Sequence, residues 1–169
     1  KDARYAQCSQ VDLFFLVEGT HAMQQDFGRH PSGFMGVMEA LRAWARDAPW
    51  AASTTDTGYR MGLALYGAPS AASVPANQDI IGNGGNFMNA NAQFNEAVSF
   101  FENFITSYAL NGTTANHLNG GLKAAVNMFN TGSASRKRVL VILGASPFTD
   151  GAKSSTAIGP VINELEGMG

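Results

Sequence analysis

Glu18, Thr20 and His21 follow directly on the apolar run Val11 to Val17, in the segment Val17-Glu18-Gly19-Thr20-His21-Ala22. A carboxylate, a hydroxyl and an imidazole so close together offer oxygen ligands to a hard cation, polar contacts to a partner, or part of a zinc site. Position matters as much as type, because in an open parallel sheet ligands sit outside the carboxyl ends of the strands. Thr113, Thr114 and His117 lie in a second loop, after a break in helical patterning at Asn111 to Thr114. A parallel sheet would bring that loop to the same edge. His21 and His117 with Glu18 would then suit Zn²⁺, whereas the oxygen ligands alone would suit Mg²⁺ or Ca²⁺. Asp150 in Thr149-Asp150-Gly151 reads as part of a turn after Pro147 or, swung back toward the strand end, as a displaced ligand, and His30 before Pro31 as a loop residue.

Catalytic signatures are missing from the sequence. There is no Gly-x-Ser-x-Gly elbow, and Gly82-Asn83-Gly84-Gly85-Asn86 has neither a P-loop lysine nor Gly-x-Gly-x-x-Gly spacing. Cys8 is the single cysteine, so no internal disulfide is possible, and it precedes the first strand instead of ending one. These residues argue against an enzyme. Asn111-Gly112-Thr113 is a glycosylation sequon, meaningful only in a secretory pathway.

The elements that must position these residues alternate. Apolar runs at Val11–Val17, Arg60–Tyr66 and Arg138–Leu143 read as strands buried on both faces. Between them lie helical patterns: Phe34, Met38, Leu41 and Ala45, widened by Val37 and Trp44 and ended by Pro49; then Phe94, Val98, Phe101, Ile105 and Tyr108; then Leu118, Leu122, Val126 and Phe129. A last helix starts around Pro160 and carries Ile158, Val161, Ile162 and Leu165 up to Gly167, and the irregular stretch Gly67 to Gly85 has room for a short edge strand at Asp79 to Ile81. The pattern predicts one α/β domain with three layers, a mostly parallel sheet covered by helices on both faces. Arg136-Lys137-Arg138 reads as a solvated entry to its strand.

The bulk numbers agree with one domain. The chain has 169 residues, 45% hydrophobic and only 14% charged, with a formal charge of -2 that gives no electrostatic case for nucleic acid. No apolar stretch reaches the roughly 18 residues needed to span a bilayer.

Four segments in order resemble a von Willebrand factor A domain: Val11 to Met23, Tyr59 to Tyr66, Asn111 to Thr114, and Arg138 to Ala145. The resemblance implies a Rossmann-like fold and a divalent-cation adhesion site at the loop face. Carried over, its ligand positions fall on Glu18, Thr20, Ala22, Thr113 or Thr114, and Ala145, with Asn116 an alternative in the third loop. Ala22 and Ala145 cannot ligate, so the implied metal site is degenerate and no cofactor is expected. The family also implies a further parallel strand and a closing helix after the last helix, which makes the sequence a segment of a longer protein with an open sheet edge.

Two functions follow from the resemblance. One is a secreted matrix or adhesion module, with Cys8 paired outside the domain and protein or cell-wall partners bound through Glu18, Thr20, His21, Thr113, Thr114 and Ser146. The other is an intracellular, nuclear scaffold like the A domain of the Mediator subunit 25 family. Its likeness lies in Glu18-Gly19-Thr20, in Gly121-Leu122-Lys123-Ala124-Ala125-Val126 and in Ala145-Ser146-Pro147. Both are non-enzymatic, and both leave neighbouring domains as natural partners.

Overall fold

The computed structural model of the chain describes residues 10–24, 33–67, 80–81, 86–108, 118–146 and 159–168. The strands are β1 (Gln10–Glu18), β2 (Gly58–Tyr66), β3 (Ile80–Ile81) and β4 (Lys137–Leu143), and the helices are α1 (Gly33–Arg46), α2 (Asn91–Tyr108), α3 (Asn119–Thr131) and α4 (Gly159–Gly167). The sheet order is β3-β2-β1-β4. β1 pairs in parallel with β2 and with β4, and the short β3 runs antiparallel to β2. This is the α/β architecture expected from the alternating pattern.

Side-chain alternation along β1 divides the interior into two layers. Val11, Leu13, Phe15 and Val17 join Phe34, Met38, Leu41 and Ala45 of α1 and Phe94, Ala97, Val98 and Phe101 of α2 in one core. Phe14 and Leu16 face the other way, into a core with Leu122, Ala125, Val126 and Phe129 of α3 and Val161 of α4. A strand between two such layers must be apolar on both faces, which is why its sequence is a continuous run. Trp44, expected within the α1 stripe, is 43% exposed and meets Phe15 and Tyr59 edge-on at the stripe's margin.

Gly58 sits at φ +110°, and a Cβ there would lie 2.5 Å from the Pro49 carbonyl oxygen. That close approach lets Tyr59 N–H donate to Pro49 O at 2.8 Å, which ties the end of the α1 connection to the start of β2.

Two even-numbered positions of β1 carry acids, Asp12 near its start and Glu18 at its end, both fully buried. They share a face and lie six residues apart, roughly 20 Å along the strand. The expectation of a solvated Arg136-Lys137-Arg138 fails at its first member. Arg136 is 2% exposed and donates from Nε to Asp12 Oδ1 at 2.6 Å. Arg60, the β2 register partner of Asp12, donates to Oδ1 at 2.9 Å and to Oδ2 at 2.5 Å. Arg136 also donates to the carbonyls of Thr54, Asp56, Val11 and Gly58. A buried guanidinium needs its fixed donors satisfied, and this strand-start corner satisfies them with backbone oxygens. Arg60 is further held with its guanidinium carbon 5.2 Å from the centroid of the Phe87 ring. Lys137 alone of the run is exposed; Arg138 is half-buried and donates to Met168 O at 2.9 Å.

Candidate functional site

Glu18 closes β1 at the carboxyl edge of the sheet. Gly19 follows, and its N–H donates to Tyr66 O at 2.9 Å, so the chain turns beside the end of β2. Residues His21–Gln24 form one 3₁₀ turn, started by Met23 N–H donating to Thr20 O at 3.0 Å. The turn folds Thr20 back, leaving it only 2% exposed.

The Glu18 carboxylate is enclosed by donors. Its Oε1 accepts from the hydroxyls of Thr20 and Ser146, and its Oε2 accepts from the backbone N–H groups of Ala145 at 2.6 Å and Ser146 at 3.1 Å. An ionised carboxylate has about four lone-pair sites, and here two hydroxyls and two amides fill them. Successive backbone N–H groups converging on one carboxylate form an anion-binding concavity, in this case for the chain's own acid. The side chain that the sequence offers as a metal ligand is therefore a saturated acceptor. A cation bound directly to it would have to displace one of these donors.

Gly144 makes the arrangement possible. A Cβ at that position would collide with the Tyr66 hydroxyl and stand 2.7 Å from Glu18 Oε2. The chain leaving β4 can wrap over Glu18 only because residue 144 has no side chain. Beside this cap, Met23, Gly36, Val37, Ala40, Leu143 and Ala145 line an apolar cleft of ≈ 390 Å³.

Of the residues expected at the site, Glu18, Thr20 and Ser146 come together, and Ala145 contributes its amide although its side chain cannot ligate. Thr113, Thr114, Asn116, His117 and Asp150 lie outside the described residues, as do Asn111 and Cys8 and the side chain of His21. Ser146 was legible as a loop-face residue, but its donation to Glu18 was not. The Asp12, Arg60 and Arg136 cluster at the opposite strand ends was missed altogether. The signal for it was present: Asp12 and Arg60 are charged residues in otherwise apolar strands, and aligning the strands sets them side by side.

Compared with protein-family models and with curated proteins, the sequence matches none. The site is accordingly read from its own geometry.

Proposed function

We propose that this chain is a metal-independent protein-docking module of the von Willebrand factor A type, which uses the loop face around Glu18 without a bridging cation. The observation that carries this reading is the saturation of Glu18 by Thr20, Ser146 and the Ala145 and Ser146 amides. Where a cation-dependent face needs open ligand positions, this one has an internal hydrogen-bonded cap. The cap holds the strand exits rigid and leaves the adjoining apolar cleft as the contact surface. Sheet order with an antiparallel edge strand also suits the A-type resemblance.

Thermal unfolding in Mg²⁺, Ca²⁺ or Zn²⁺ tests the reading. A ligand at 100 times its dissociation constant stabilises a folded protein by about 2.7 kcal/mol, several degrees for a chain of this size. The melting temperature is expected to be the same in millimolar divalent cation and in chelator. A saturable rise that Glu18→Ala abolishes would refute it.

For the setting, we favour the intracellular scaffold over the adhesion module. The residues that carry the likeness to the Mediator subunit 25 family, Glu18-Gly19-Thr20 and Ala145-Ser146, are the ones that meet in the cap. The adhesion reading rests on Cys8, which lies outside the described residues. Intact-mass analysis of protein from its natural source discriminates between them. A free Cys8 thiol and an unmodified Asn111 support the scaffold, and a disulfide or a glycan sinks it.

A further inference from the structure

Ser146 combines three properties. Its hydroxyl donates to the buried carboxylate of Glu18, it is half-buried in a strand exit where Gly144 and Ala145 are exposed, and a proline follows it in the sequence. The chain has six prolines, and Pro147 is the one that follows a serine or threonine. Ser-Pro is the acceptor dipeptide of proline-directed serine/threonine kinases. The exposed hydroxyls of Ser53, Thr54, Thr55 and Thr57 have no such neighbour.

We infer that Ser146 is a phosphorylation site whose modification opens the Glu18 cap, an inference that rests on the intracellular scaffold reading above. In the transfer, Ser146 Oγ attacks the γ-phosphorus of ATP. The Oγ–P bond forms as the bond from that phosphorus to the β,γ-bridging oxygen breaks, the hydroxyl proton passes to the kinase's base, and ADP leaves. The modified oxygen has no proton left to donate, so Glu18 Oε1 loses a donor. The phosphate adds about -1.5 to -2 charges within hydrogen-bond distance of a carboxylate of the same sign. Around a fully buried acid the local dielectric is low, and like charges there repel far more strongly than in water. The exit from β4 must move off Glu18 and take the Ala145 and Ser146 amides with it. Docking through this face is then controlled by charge, at the position where a cation-dependent relative would use a metal.

The test treats the intact chain with ATP, Mg²⁺ and a purified proline-directed kinase, maps the phosphate by peptide mass, and follows amide hydrogen exchange at Ala145 and Ser146. The expected result is phosphate on Ser146 and loss of protection at both amides, while protection within β1 and β2 persists. Ser146→Asp should lose protection at the same amides, and Ser146→Ala should keep it, because the amides do not need the hydroxyl. Failure of the kinase to modify Ser146 in the folded chain overturns the inference. So does phosphorylation that leaves both amides protected, or a Ser146→Ala variant that loses protection as fully as Ser146→Asp. The docking reading is tested separately, by divalent-cation titration of the unmodified chain, and survives if only the kinase experiment fails.

Discussion

Replacing Arg136 by Met puts the buried ion cluster to a quantitative test. The substitution keeps most of the side-chain volume and removes every donor. Asp12 would keep the two bonds from Arg60 but lose the 2.6 Å bond from Arg136 Nε, and the pair it breaks is 0% and 1% exposed. Removing one partner of a buried pair costs about 3–5 kcal/mol, and the remaining Arg60 contact argues for the low end. Four carbonyls lose donors as well. Thr54 and Asp56 stand in an exposed loop, where water replaces the guanidinium, whereas the oxygens of Val11 and Gly58 belong to buried residues and leave a cost of about 1 kcal/mol or more. The total is about 4 kcal/mol, against a stability of about 5–15 kcal/mol for a domain. At about 2–4 °C per kcal/mol for a chain of this length, the melting temperature should fall by about 12 °C. Calorimetry and urea unfolding both read the change, and the urea midpoint should drop with an unchanged slope. Raising the salt concentration should rescue little of the loss, because the pair is shielded from solvent ions. Lys137→Met, next in the sequence but exposed, is the control and should stay within about 0.5 kcal/mol of the parent chain. A fall of less than about 2 °C for Arg136→Met would refute the argument and return the residue to the solvated role its neighbours suggest.

Glu18→Gln replaces one acceptor oxygen by an amide that itself donates: turned toward the backbone amides it meets two obligate donors, and turned toward the Thr20 and Ser146 hydroxyls it forces them to accept and leaves the amides a neutral oxygen in place of a carboxylate; a loss of about 1–3 kcal/mol is expected, with faster hydrogen exchange at the Ala145 and Ser146 amides. Unchanged exchange at both would show that the carboxylate does not hold them. Gly144→Ala forces a methyl group against the Tyr66 hydroxyl and Glu18 Oε2, and it should cost about 1–3 kcal/mol in urea unfolding while disturbing side-chain signals around the cap more than those around Asp12. Gly62→Ala meets Phe14 Cε2 at 2.7 Å and Met128 Cε at 3.1 Å in the α3 layer, and a comparable loss should appear there without any change in amide exchange at Ala145. Wild-type stability in Gly62→Ala would mean that Phe14 turns aside more easily than its full burial implies.

The strands and helices were legible along the chain because each carries its own periodicity. A run such as Leu13-Phe14-Phe15-Leu16-Val17 must be buried on both faces wherever it goes, and Phe94, Val98 and Phe101 can share a buried face only on a helix. Segment types, the alternation of strand and helix, and hence the α/β class were thus determined by the sequence itself. Polar residues carried no such local signature. Arg136 looks solvated beside Lys137 and Arg138 because its acid lies 124 residues earlier in the chain, and only the pairing of β1 with β4 brings the two together. The surroundings of Glu18 are equally invisible in the sequence, because two of its donors are backbone amides 127 and 128 residues later, and an amide has no residue-type signal. What a buried charge does depends on which donors surround it, and only the tertiary structure decides that. Here it drew the first residue of a basic run into a core ion cluster and surrounded Glu18 with four hydrogen-bond donors.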